Sequence, residues 1–368
     1  MKFLSVATAL TLLSVTVSAQ SATNTSATTT TTTETYPAEG AVPTPKAEWL
    51  ELIKNANITN APVLKSNGAN GPNTSGEDKY CDWAFSGCLG DSIATCPKGQ
   101  WGITFDDGPS DVSPTLYDFL KSTNQKATLF MIGANAVKYP QHVKRAYEEG
   151  HEIAIHTWSH PYMTTLTNEQ VVAELKWTEL AIKNIIGVSP HLFRPPYGDI
   201  DNRVRDIGNA LGFRSVIWDH DSEDWMLAEQ ASFKAEWIDG NFTQWISEAS
   251  TSSTGGLSLE HDIQNVTVQA AIKNLPALQK AYKVIPVGEC AGVASYKESN
   301  ATVPSNTTSA IASSSVPASS TVVATVTPAA TSASVGNNNQ SQHASGSMRN
   351  TVTNAALILS AALTYYFV

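Results

Sequence analysis

Two neighbouring carboxylates, Asp106 and Asp107, close a short apolar run, Trp101–Phe105, and Gly108-Pro109 follows at once. Side chains alternate along a strand, so adjacent aspartates cannot both face one core. Gly-Pro forces a turn directly after them. Like charges this close repel, and one needs a cation or a proton. A metal beside one aspartate leaves the other free to act as a base.

Four further clusters carry chemistry. His156-Thr157-Trp158-Ser159-His160 follows the apolar run Glu152–Ile155 and spaces two histidines so that both can face one point on a helical turn. Two imidazoles and one carboxylate leave a zinc position open for water, with Asp106 or Asp107 as the third ligand. In Phe193-Arg194-Pro195-Pro196-Tyr197-Gly198 a permanently charged guanidinium ends a strand, and two prolines stiffen the backbone beyond it. Such a segment can hold a backbone N–H toward a developing oxyanion. Trp218–Trp225 packs four carboxylates and two tryptophans into eight residues, suited to orienting a catalytic histidine or arginine beside an apolar wall. His261 ends the apolar run Leu257–Leu259 and is a candidate general acid. Tyr162, Trp158 and Trp237 are aromatic candidates for stacking on sugars, with buried packing the commoner role for any one of them.

Seven strands are expected to position these groups: Trp101–Phe105, Ala127–Ile132, Glu152–Ile155, His191–Phe193, Arg214–Trp218, Leu257–Leu259 and Lys283–Val287. Helical patterns lie between them, at Pro114–Ser122, Ala134–Glu149, Thr167–Ile186, Asp201–Leu211, Phe233–Ala249 and Asn265–Ala281, with a short helix at Ala47–Lys54. Thr167-Asn-Glu-Gln reads as a capping box, and Gly187 ends that helix. The alternation predicts an α/β fold with a parallel sheet. A (β/α) barrel is favoured over an open sheet, because the reactive residues fall at the carboxyl ends of five strands.

The 368 residues and net charge of -10 allow one sizeable domain with tails and argue against a nucleic-acid partner. Residues 1–19 read as a secretory signal peptide. Residues 20–80 form a Thr/Ser-rich and then mixed segment, of which Gln20–Pro37 is expected to be disordered. Residues 81–292 form the folded domain, and residues 293–345 a Ser/Thr-rich glycosylated stalk. Residues 346–368 are expected to be a removed GPI-attachment propeptide, with Ser345 or Gly346 as the attachment residue. Four cysteines in a secreted chain read as disulfides, and the pairing expected is Cys96–Cys290, tying the domain's start to its end, with Cys81–Cys88 as a small local loop. N-glycosylation sequons stand at Asn24, Asn57, Asn73, Asn241, Asn265, Asn300, Asn306 and Asn339, positions expected on the surface.

In order, Thr-Phe-Asp-Asp-Gly-Pro, His-x-x-x-His, Arg-Pro-Pro-Tyr-Gly, Asp-x-x-Asp-Trp and Leu-x-Leu-x-His-Asp resemble the motifs of the polysaccharide deacetylases, carbohydrate esterase family four with its NodB-homology domain. The resemblance covers roughly residues 95–290 and is strongest to fungal chitin deacetylases of the GPI-anchored cell-wall kind. It implies a distorted (β/α) barrel that removes N-acetyl groups from chitin, giving chitosan and acetate, with one divalent metal, zinc or cobalt. It implies Asp107, His156 and His160 as metal ligands, Asp106 as general base and His261 as general acid. Arg194 would position Asp106, and Asp221 or Asp224 would tune His261. The Tyr197 N–H would serve the oxyanion, and Trp225 and Leu259 would wall the acetyl methyl. The partners implied are chitin or chito-oligosaccharides and a GPI lipid anchor to membrane or wall glucan, for a monomer at the cell surface. Two alternatives stand: a non-catalytic, glycan-binding mannoprotein, or a deacetylase of another acetylated polysaccharide.

Overall fold

A computed structural model describes residues 34–68 and 71–298, all within one compact unit. Among these residues no helix is long and apolar enough to cross a membrane. The expected signal peptide, the attachment segment with Ser345 and Gly346, and the sequons Asn24, Asn300, Asn306 and Asn339 lie outside the described residues.

Eight parallel strands form a curled sheet: β1 (Gln100–Asp106), β2 (Thr128–Met131), β3 (Glu152–Ile155), β4 (Leu192–Phe193), β5 (Arg214–Ser215), β6 (His220–Asp221), β7 (Gly256–His261) and β8 (Lys283–Ile285). The order β5-β4-β3-β2-β1-β7-β6 leaves β5 and β6 at the two ends, so the distorted barrel is open between them. Strand β8 pairs with the first residues of β1, ahead of β2. The sequence reading had seven strands; the extra one, β6, hides in the acidic stretch after Trp218, where polarity masks a two-residue pairing with β7.

The strands read as nearly unbroken apolar runs because a parallel sheet covered by helices is buried on both faces. Phe130, Ala154, Leu192, Val216 and Leu257 fill the inside of the barrel, while alternate residues such as Leu129 and Ile153 pack outward against helices. The expected capping box forms: Thr167 Oγ1 accepts from Gln170 N, and the Gln170 side chain accepts from Thr167 N. The single helix expected over Ala134–Glu149 is two, Gly133–Lys138 and Pro140–Glu148. Pro140 has no N–H to continue the first helix and disfavours helical geometry at Tyr139. The helix expected over Ala47–Lys54 spans only Ala47–Leu50.

Both disulfides join the cysteines paired in the sequence reading, Cys81–Cys88 and Cys96–Cys290. Two segment boundaries change. Residues 34–37, placed in a disordered tail, pack on the domain: Tyr36 stacks on Trp158. Residues 293–298, placed in the stalk, also belong to it. His191 N donates to Ser295 O, Lys297 N donates to Ser189 O, and the buried Tyr296 accepts Ile153 N on its hydroxyl. Composition marks these residues as tail, yet one buried tyrosine contributes more than the surrounding small residues can reveal. Among the described sequons Asn57, Asn73 and Asn265 are exposed, but Asn241 is half-buried and its amide donates to Ser222 O.

Tyr296→Ala is expected to cost about 3–5 kcal/mol, the range for truncating a buried aromatic, read from urea unfolding. A loss below about 1 kcal/mol would return residues 293–298 to the stalk.

Candidate active site

The site is built at the carboxyl ends of the strands. Asp106 is the last residue of β1 and is buried. Asp107 then adopts φ 74°, a left-handed conformation that breaks strand alternation and lets both carboxylates line one cleft. That is how neighbouring aspartates escape the restriction that an extended strand imposes. Register adds a second constraint, since Asp106 lies directly opposite His261 across the β1–β7 ladder.

His156 follows β3, and His160 lies four residues on in a loop. The helical turn expected for this pair is absent, and Thr157 and His160 have φ of 62° and 60°. The loop is pinned from beneath by Glu174, a buried carboxylate on the helix Asn168–Ile186. It accepts Trp158 N at 2.6 Å, Ser159 N at 2.9 Å and Ser159 Oγ at 2.6 Å. Each imidazole has one nitrogen occupied. His156 Nδ1 bonds Arg194 O at 2.9 Å, and His160 Nδ1 bonds the Tyr197 hydroxyl at 3.1 Å. The Nε2 atoms then lie 3.4 and 3.2 Å from Asp107 Oδ1.

Asp107, His156 and His160 each offer a ligand atom within 4.8 Å of the others. Asp107 Oδ1 is buried without a hydrogen-bond partner. An orphaned carboxylate oxygen facing two imidazoles whose far nitrogens are tied suits a divalent cation, with second-layer bonds fixing ring orientation.

Arg194 is fully buried inside the barrel. Its Nη1 donates to Asp106 Oδ1 at 2.9 Å and to Thr104 Oγ1 at 2.6 Å, and its guanidinium lies over Phe130. On the opposite wall His261 Nδ1 bonds Asp224 Oδ1 at 2.7 Å, while His261 N donates to Asp224 Oδ2. Of the two carboxylates considered, Asp224 is the one hydrogen-bonded to His261, and Asp221 Oδ1 accepts Glu223 N instead. Burial opposes charge on His261, but Asp224, with Asp107 and Asp106 behind it, outweighs burial and pushes the imidazole up to about 10.

Asp106, Asp107, His156, His160 and His261 face one cleft of about 730 Å³, with Arg194 and Asp224 behind its wall. Leu259, buried, and Trp225, 36% exposed, line it, and Tyr197, 50% exposed with φ 59°, stands at its rim stacked on Tyr162. Of the aromatics considered for sugar stacking, Trp158 is buried under Tyr36, as the commoner reading of such residues has it, and Trp237 is exposed but does not line the cleft. The sequence reading missed Glu174 and Thr104. Glu174 was detectable, because it interrupts the apolar stripe that runs through Val171, Leu175 and Ile182.

Residues 94–216 match the family model for polysaccharide deacetylase. The chain is 38% identical over 252 residues to chitin deacetylase 2 of Cryptococcus neoformans, covering 65% of this chain and 55% of that protein. It is 39% identical over 287 residues to chitin deacetylase 3 of the same species, covering 72% and 67% respectively. It thus spans little more than half the length of the first relative. Among solved structures, the chitin deacetylase of the fungal pathogen Colletotrichum lindemuthianum is 28% identical with a TM-score of 0.50, covering 57% of this chain and 96% of that one.

In the metal-free protein, NMR titration of His261 is expected to place its midpoint near 10. The folded value exceeds the unfolded one of about 6.5, so this stabilisation is complete below the unfolded value and is lost as pH rises through the folded one. Asp224→Asn should bring the midpoint down by more than about one unit; an unmoved midpoint would contradict the Asp224 assignment.

Proposed function

We propose that this chain, which belongs to the polysaccharide deacetylase family, hydrolyses the N-acetyl groups of N-acetylglucosamine units in cell-wall chitin, giving chitosan and acetate. The observation that carries the reading is the convergence of three sets on one cleft: Asp107 with His156 and His160, Asp106 with Arg194, and His261 with Asp224. The names of the relatives support chitin as the substrate class.

A divalent cation held by Asp107, His156 and His160, zinc or cobalt, supplies Lewis acidity to oxygen atoms in the cleft. Asp106, held through Oδ1 by Arg194, takes the proton of the attacking water. The backbone N–H of Tyr197 donates to the oxyanion that forms. Trp225 and Leu259 enclose the acetyl methyl and keep bulk water from it. An amine leaves poorly until it is protonated, and His261, oriented by Asp224, gives its ring proton to the departing nitrogen. No side-chain nucleophile is needed. Two disulfides support folding in an oxidising compartment, in keeping with a protein that works at the cell surface on a GPI anchor.

Acetate release from chito-oligosaccharides is expected to stop on chelation and return with zinc or cobalt. Asp106→Asn and His261→Ala should each lower kcat by about 10²–10⁴. A folded protein that binds the glycan but releases no acetate under any metal would favour the binding-only mannoprotein. Release confined to acetylated xylan or peptidoglycan would overturn the chitin assignment.

A further inference from the structure

The loop that carries His156 and His160 is not held by the barrel alone. Trp158 lies between the two histidines and is buried. One side of its indole faces Gly133, where a Cβ atom would come within 2.5 Å of Trp158 Cε3. The ring also stacks on Tyr36, with centroids 5.9 Å apart and planes inclined by 13°. Its indole N–H donates to Ala38 O at 3.2 Å. Tyr36 is itself anchored, because its hydroxyl accepts from Asn184 Nδ2 at 2.8 Å. The segment continues across the helix Asn168–Ile186: Trp177 Nε1 donates to Thr44 O at 2.8 Å, and Trp49 packs edge-on against Trp177. Lys46 reaches back to Glu34 at 2.9 Å. Residues 34–49 lie outside residues 94–216, the span that matches the family model and that contains the loop and helix they contact.

We infer that residues 34–49 are a strap that positions the metal-ligand loop, and that it acts through Tyr36 on Trp158. The inference rests on the metal reading of Asp107, His156 and His160. The loop needs such support because Thr157 and His160 both hold left-handed backbone, which packing must maintain against relaxation. Glu174 fixes the loop's N–H groups, and Gly133 N and Ala134 N donate to its carbonyls at Thr157 and Trp158. Neither contact controls the indole. Without Tyr36 the indole loses its stacked face, and the left-handed backbone at Thr157 and His160 is left to the main-chain hydrogen bonds alone. The spacing of the two Nε2 atoms then slackens. Tyr36 is thus a positioning residue two layers from the cation.

Zinc affinity, measured by competition with a chromophoric chelator, tests the strap without reference to catalysis. Tyr36→Ala, with near-UV circular dichroism intact, is expected to bind zinc about tenfold more weakly, while Tyr36→Phe, which keeps the stack, stays within about twofold of the native chain. Tyr296→Ala, at the far end of the barrel, serves as the control for general destabilisation and should also stay within about twofold. Native affinity in Tyr36→Ala, or equal weakening in Tyr36→Ala and Tyr296→Ala, would overturn the strap. His160→Ala separates the two readings. If it binds zinc as the native chain does, the metal reading falls and the strap with it. If it loses zinc while Tyr36→Ala does not, the strap falls alone.

Discussion

One residue ties the two halves of the cleft together. The guanidinium of Arg194, buried among the barrel's inner side chains, holds Asp106, and its main-chain carbonyl holds His156. The proposed proton acceptor and one of the proposed metal ligands are thus set by a single position at the end of β4. Removing one partner of a buried pair strands the other charge and costs about 3–5 kcal/mol. The pair is tolerable because Thr104, the Ile217 carbonyl and the faces of Phe130 and Trp218 surround the guanidinium. The barrel interior therefore carries a charge where an apolar core would pack more simply.

Strand register supplies the rest. Ile155 lies opposite Phe193, so His156 and Arg194 leave the sheet side by side. Asp106 lies opposite His261 on the other edge of β1. Loops then turn the side chains inward, and they do so at a cost. Of seven non-glycine residues with positive φ among those described, five belong to the clusters at the site: Asp107, Thr157, His160, Tyr197 and Glu223. Each such conformation costs about 1–3 kcal/mol, which surrounding contacts must offset. Glu174 does this for the histidine loop, and Tyr197's hydroxyl, bonded to His160, links that loop to the stiff Pro195-Pro196 segment.

The sequence disclosed the residues that converge at the cleft better than the scaffolding that aims them. Asp106, Asp107, His156, His160, Arg194 and His261 stand out because their types are costly at the ends of apolar runs. Strand positions were legible because burial on both faces leaves continuous apolar stretches. Local conformation was not: His-x-x-x-His fits a helical turn in sequence, and only the contacts with Glu174 and the left-handed backbone make it a loop. The choice between Asp221 and Asp224 depended on β6, a pairing too short and too polar to leave a pattern. Tyr36 and Tyr296 were hidden in segments whose average composition says tail, because a single buried aromatic barely alters that average.

The most direct test of this account is Arg194→Lys, with zinc content and kcat for acetate release measured on the same sample. Lysine keeps the charge but not the planar fork whose Nη2 donates to the Ile217 carbonyl while Nη1 reaches Asp106 and Thr104, and the main-chain carbonyl that orients His156 is unchanged. The account predicts that the variant retains its zinc and loses about 10² or more in kcat, the scale of loss when a reacting group is misplaced by an ångström. Native turnover in Arg194→Lys would show that Asp106 does not depend on the guanidinium and would contradict the account at its centre.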